Sequence, residues 1–126
     1  MGLWQGRSKK KPSGGRIWPF RKKRLRNIGR DPVLTKVSDK NKRIKLKARG
    51  GSQYDALLTV SYANLDLGNG KFKKVKIKRV IENKANRHFV RMNVVTRGAV
   101  VETDAGNARV TSRPAREGVV NAVLVR

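Results

Sequence analysis

Two stretches of this chain alternate strictly between apolar and cationic residues. From Arg43 to Arg49, Ile44, Leu46 and Ala48 point one way and Arg43, Lys45, Lys47 and Arg49 the other. From Phe72 to Ile81, Val75, Ile77 and Ile81 alternate with Lys74, Lys76 and Lys78. A period of two places successive side chains on opposite faces of a strand, so each stretch predicts a half-buried strand with one basic face. Cations on such a face stand about 6.6 Å apart, given a rise of ~3.3 Å per residue. That is inside the Debye length of about 8 Å, so they repel one another unless a polyanion covers them.

The remaining pattern predicts more short strands. Val33 to Val37 follows Asp31-Pro32, and Tyr54 to Tyr62 is apolar on both faces, which predicts one central, buried strand after a Gly50-Gly51 turn. Asn64 to Gly70 reads as a loop, and residues 83 to 93 as a turn of helix or an irregular connection. Ala99 to Thr103 and Ala108 to Arg113 flank a turn at Asp104 to Asn107 and predict a hairpin. An Arg113-Pro114 stop and a last strand, Val119 to Val125, complete the chain. Six or seven short strands with Gly-rich turns and no long helix predict an all-β fold, a small closed or nearly closed β-barrel of about six strands.

Residues 1 to 30 break this pattern. They hold 11 Lys or Arg and no Asp or Glu, in a chain of 126 residues whose formal charge is +24. Such a segment buries too little apolar surface to offset its ordering entropy, so the division expected is a basic arm, 1–30, disordered when free, and a β-barrel body, 31–126. Within the arm Pro19 is placed to start a short helix reaching Ile28, with Phe20, Leu25 and Ile28 on one side. The arm also interleaves Trp4, Trp18 and Phe20 with its charges and carries a Ser13-Gly14-Gly15 hinge. Cations answer phosphates, aromatic faces stack on unpaired bases, and glycine admits a close backbone. The arm cations Arg7, Lys9, Lys10, Lys11, Arg16, Arg21, Lys22, Lys23, Arg24, Arg26 and Arg30, with Trp4 and Trp18, are therefore candidate RNA contacts. Arg43, Lys45, Lys47, Arg49, Lys74, Lys76 and Lys78 on the strand faces join them. Arg109, Thr111 and Arg113, in line on one expected strand face with Ser112 between, form a third cluster.

Other chemistries are poorly supplied. Cysteine is absent and there is one histidine, His88, so neither a disulfide framework, a thiolate metal site nor a nucleophilic triad is expected. Glu102 and Asp104 are two apart but read as flanks of a hairpin turn. Gly68 and Gly70 lack the downstream Gly-Lys-Ser/Thr of a phosphate-binding loop. No cofactor, metal, small-molecule substrate or self-association is expected. No apolar run reaches the ~20 residues that cross a bilayer, and no apolar segment follows the first basic residues as a secretory signal requires, so an intracellular protein is expected. With 32 basic against 8 acidic residues the expected partner is a polyanion, nucleic acid before anionic membrane.

Trp4-Gln5-Gly6-Arg7-Ser8, the run KKPSGGR at 10–16, Gly29-Arg30 with Pro32, Ala63-Asn64, NVVTRG at 93–98, Glu102-Thr103, ARVTSRP at 108–114 and GVVNAVL at 118–124 run nearly end to end along the chain. As a set they resemble the archaeal and eukaryotic small-subunit ribosomal protein family S8e in its short archaeal form. The resemblance implies a barrel seated on small-subunit ribosomal RNA beside neighbouring ribosomal proteins, cytoplasmic in the ribosome, with an extension threading among RNA helices and no catalysis. By motif it adds Gln5, Gly6, Ser8, Ser13, Gly14 and Gly15 to the RNA-facing set, with Thr111, Ser112 and Arg113. Its rivals are a ribosome assembly factor and a nucleoid DNA-binding protein.

Overall fold

The computed structural model describes residues 3–68 and 70–125, without the Arg49 side chain. It divides the chain into two compact units, Met1–Pro32 and Val33–Arg126. In the second unit the strands are β1 (Lys36–Val37), β2 (Lys42–Lys47), β3 (Gln53–Val60), β4 (Tyr62–Asp66), β5 (Phe72–Glu82), β6 (Val100–Thr103), β7 (Gly106–Val110) and β8 (Asn121–Leu124). Two short helices, α1 (Arg87–Arg91) and α2 (Pro114–Glu117), lie between them. Strands β4-β5-β6-β7-β8 close into a barrel, and β1-β3-β2 form a separate three-stranded sheet. The all-β barrel is thus the fold expected, with five strands in the barrel proper.

Closure depends on a parallel pairing of β4 with β8, in which Asn64 faces Asn121 and their side-chain amides bond at 3.1 Å. The barrel's interior takes Leu65, Val75, Ile77, Val80, Val101, Val110 and Ala122, all at most 4% exposed. Alternation on β5 holds from Lys74 to Lys78 and then fails. Register shifts between Ile77 and Arg79 and again between Val80 and Glu82 insert extra residues against β6. Each extra residue reverses the parity of the strand beyond it. Val80 therefore points inward and Ile81, expected inside, is 41% exposed.

A second departure is the expected single strand Tyr54 to Tyr62. It is two strands that belong to different sheets, broken at Ser61. Ser61 is buried, and both its N–H and its Oγ donate to Asn41 Oδ1, at 2.7 and 3.0 Å. With its donors held by a side chain, the chain can leave β3 and enter the barrel as β4. That strand takes in Asn64 to Asp66, expected as loop, and the turn begins only where Asp66 Oδ1 accepts from the Gly68 N–H. β3 itself is central in its sheet, as its two apolar faces predict.

Elsewhere, too, side chains compete for backbone groups. Val33 to Val37 pairs only over Lys36–Val37, because the buried Thr35 turns its hydroxyl to the Leu57 carbonyl at 2.7 Å. The β6–β7 turn is the pair Asp104-Ala105, with Thr103 opposite Gly106, so the hairpin is tighter than expected. In the 83–93 stretch, Asn86 caps α1 by accepting from the His88 N–H at 2.9 Å, and the buried Asn83 bonds the Val94 carbonyl. β7 stops at Val110 and β8 spans only Asn121–Leu124.

Beyond Arg113, the chain does more than stop at Pro114. Proline's fixed φ suits the first turn of a helix, and it opens α2. Gly118 ends α2 in the left-handed region, at φ 68, where a Cβ would lie 2.9 Å from the Asp55 Cβ. Gly118→Ala is therefore expected to destabilise the body by at least about 1 kcal/mol, left-handed strain alone costing ~1–2. Urea denaturation measures this, and an unchanged midpoint would refute the close approach of α2 to β3.

Candidate nucleic-acid interface

The arm, taken by itself, folds back on its own start. Trp4 and Ile28 pair antiparallel, with the Gln5 N–H on the Asn27 carbonyl at 2.9 Å and the Gly29 N–H on the Leu3 carbonyl at 2.6 Å. A second pairing, Lys10 with Arg16, is flanked by the Ile17 N–H on Lys9 O at 2.7 Å and the Lys11 N–H on Gly15 O at 2.8 Å. Gly14, at φ 81, donates to the Lys11 carbonyl and turns the tip of this small hairpin. KKPSGGR is thus a cationic finger, its Pro-Ser-Gly-Gly at the bend.

No described residue of the arm is buried, and Ile17, Asn27 and Gly29 alone are half-buried. The helix expected over Pro19 to Ile28 is absent: a single 3₁₀ turn, Leu25–Asn27, stands there, and Leu25 and Phe20 are exposed. Repulsion among Arg21, Lys22, Lys23, Arg24 and Arg26 on two turns opposes a helix, with no carboxylate to answer it. Trp18 and Phe20 are 79% and 89% exposed, and Arg21 lies over the Phe20 ring at 5.2 Å. They border a cleft of about 590 Å³ with Trp4, Ile17, Arg7 and Lys9. An exposed aromatic edge among cations can stack a base and hold its phosphate at once.

Trp4 has a different place. Its Nε1–H donates to the Arg7 carbonyl at 3.2 Å, and Gly6 lies so close to its ring that a Cβ there would collide with it. Gly29 is crowded in the same way by the Gln5 side chain. Trp4, Gln5 and Gly6 therefore shape the base of the arm. Ser8 Oγ likewise accepts from the Lys10 N–H at 3.2 Å.

On the body, β2 is an edge strand and presents Lys42, Arg43, Lys45 and Lys47 outward, with Ile44 and Leu46 half-buried beneath. Lys42 escaped the alternation because a bulge separates it from Arg43. The row ends at Lys47: Arg49 stands in the 3₁₀ turn Arg49–Gly51, and its side chain lies outside the described residues. Ala48, expected inward, is exposed just before that turn, at its N-cap.

The second basic face is less purely basic than its sequence. Lys74 lies over the Tyr62 ring at 4.9 Å, Lys76 pairs with Asp39 and Lys78 with Asp104, each at 3.5 Å, and Arg79 bonds Glu102 at 2.7 Å. Carboxylates from distant segments mix the signs. Such exposed pairs are weak, so Lys76 and Lys78 remain exchangeable toward phosphate. The same pairs dispose of Glu102 and Asp104 as an acid–base couple. Among the described residues, no group of three or more His, Asp or Glu is gathered as metal ligands, and no helix is long and apolar enough to cross a membrane.

The third cluster is broken up. Only Arg109 lies within β7, facing out; Thr111 turns its hydroxyl to the Asn121 carbonyl at 3.2 Å. Ser112 is 5% exposed, donates to the Val119 carbonyl and accepts from the Asn121 N–H, so it ties the chain around α2 and faces no ligand. Arg113 is exposed before α2, near Arg97, which lies in the NVVTRG segment without having been a candidate contact, and near Arg116, which no pattern singled out.

Fold and surface define the class: a small, strongly cationic β-barrel protein with a basic N-terminal segment. Comparison with known proteins is more specific. The chain belongs to the family described as Ribosomal protein S8e, whose model matches residues 4–125. It is 46% identical to the Small ribosomal subunit protein eS8 of Methanococcus maripaludis strain S2 over 126 residues, 99% of this chain and 98% of that protein. Those of strains C6 and C7 are 45% and 44% identical over the same span. The family is one of ribosomal proteins and not of enzymes, as the resemblance implied, and its members' place is the ribosome in the cytoplasm.

Proposed function

We propose that this chain is a structural constituent of the small ribosomal subunit and binds small-subunit ribosomal RNA through its arm and basic strand faces, supporting subunit assembly and translation. The observation that carries this is the arm's surface: 11 cations without a carboxylate through residue 30, exposed Trp18 and Phe20, and no buried residue among those described. Residues 1–30 act as a limb that orders fully on RNA, and residues 31–126 as the body that carries it. Phosphate contacts supply most of the affinity, while exposed aromatics take unpaired bases. Arg43, Lys45, Lys47 and Lys74 extend the contact over the body, with Lys76 and Lys78 exchanging carboxylate for phosphate. Neighbouring small-subunit proteins are the other partners; no membrane, cofactor or second copy of the chain is required.

Sedimentation of cell extract through a gradient tests this. The chain is expected to follow the mature small subunit in stoichiometric amount. Loss of the chain from mature subunits would identify an assembly factor instead, and equal affinity for duplex DNA and ribosomal RNA a nucleoid protein.

A further inference from the structure

The body carries a second feature that its sequence does not announce, a pocket of about 470 Å³ between the segment leading into β1, the segment before β6 and the start of α2. That is within the ~300–1,000 Å³ usual for small-ligand sites. Its lining includes the apolar Val33 and Leu34, the half-buried Tyr54, and three exposed arginines, Arg97, Arg113 and Arg116.

The polar chemistry left in this pocket is one-sided. Two threonines in the lining have spent their hydroxyl protons inside the fold, Thr35 on the Leu57 carbonyl at 2.7 Å and Thr96 on Asn83 Oδ1 at 3.0 Å. No carboxylate lines the pocket; Asp55 and Glu117, on the adjoining β3 and α2, lie outside the lining. What remains is three arginines in a lining that is otherwise aromatic and aliphatic. Guanidinium forks match phosphate oxygens bidentately and stack on planar rings. A ligand that fills the space must be anionic and carry a flat, largely apolar group.

We infer that this pocket receives one unpaired nucleotide of RNA, its base against Tyr54 and its flanking phosphates on Arg97, Arg113 and Arg116. Single-stranded loops and bulges supply such nucleotides, because bases in A-form helices are stacked and out of reach. The arginines come from two segments that the sequence singled out, 93–98 and 108–114, and from α2, whose opening proline and closing glycine hold Arg116 beside Arg113. The site gives the body a base-level contact separate from the charge-driven grip of the arm. This inference rests on the RNA-binding reading above.

The test uses the full chain and small-subunit ribosomal RNA. The variant R97A/R113A/R116A removes three phosphate contacts, so the slope of log affinity against log salt should fall by about 2 to 2.7, and affinity at 150 mM salt by roughly 10²-fold. Its melting temperature should stay that of the parent, since all three side chains are exposed. Ultraviolet irradiation of the unmodified complex should join a nucleotide to the peptide containing Tyr54. An unchanged slope together with cross-links confined to other peptides would overturn the pocket. If the unmodified chain binds this RNA steeply while the pocket results are negative, the functional reading stands without it. If the unmodified chain does not bind at all, both fall.

Discussion

A chain lacking residues 1–30 is expected to melt as a folded barrel and to bind small-subunit ribosomal RNA about 10³ to 10⁴-fold more weakly at 150 mM salt. The estimate takes five or six of the arm's 11 cations as phosphate partners, each worth a factor of about four to five in affinity relative to 1 M salt. Folding should survive because the core cluster draws every side chain from residue 37 onward. The slope of log affinity against log salt should fall by about four to five units. Calorimetry and filter binding on the same sample separate the two effects. An unfolded body would mean that the arm is part of the core, and an unchanged affinity would remove the arm from the interface.

The second large effect belongs to the body. Leu65, fully buried on β4, faces Lys73 across β5 and Ala122 across β8, at the strand pair that closes the barrel. Leu65→Ala leaves a cavity inside the closed barrel, and is expected to cost about 3 kcal/mol. For a body of this size that lowers the melting temperature by about 12 to 24 °C. Val123→Ala, on the 43% exposed outer face of β8, should move it by no more than about 4 °C, the equivalent of ~0.5 kcal/mol. Comparable losses for both would contradict the assignment of inside and outside on the closing strands.

Period-two alternation in Ile44 and Leu46 and in Val75 and Ile77 identified β2 and the first half of β5 together with their faces, because each repeats over residues paired in unbroken register. It misplaced Ile81, since a bulge is set by pairing with β6 and leaves no local mark. It also joined β3 to β4, as the break at Ser61 is made by Asn41, 20 residues earlier. Thr35 and Ser61 share this character: small hydroxyls whose partners lie 22 and 20 residues away in sequence, which propensity alone reads as ordinary strand or surface.

The interface divides in the same way. Charge and aromatic content identify the arm, but its folded-back base depends on backbone bonds from Leu3 and Gln5 to Asn27 and Gly29, which no side-chain pattern reveals. Trp4 looked equivalent to Trp18 in sequence; the close approach of Gly6 and the bond to Arg7 make it part of the arm's frame, and leave Trp18 and Phe20 as the exposed rings. The acidic partners of Lys76, Lys78 and Arg79 arrive from Asp39 and from the β6 hairpin, so the sign of that face was decided by topology. Arg97, Arg113 and Arg116 gather for the same reason.

The proposed hold of this chain, of formal charge +24, on small-subunit ribosomal RNA rests mainly on phosphates. Measuring the affinity of the full chain for that RNA as salt rises from 50 to 200 mM tests the proposal most directly. With six to ten phosphates neutralised, affinity should fall by about 10³ to 10⁵-fold over that range. A nearly flat dependence would contradict it.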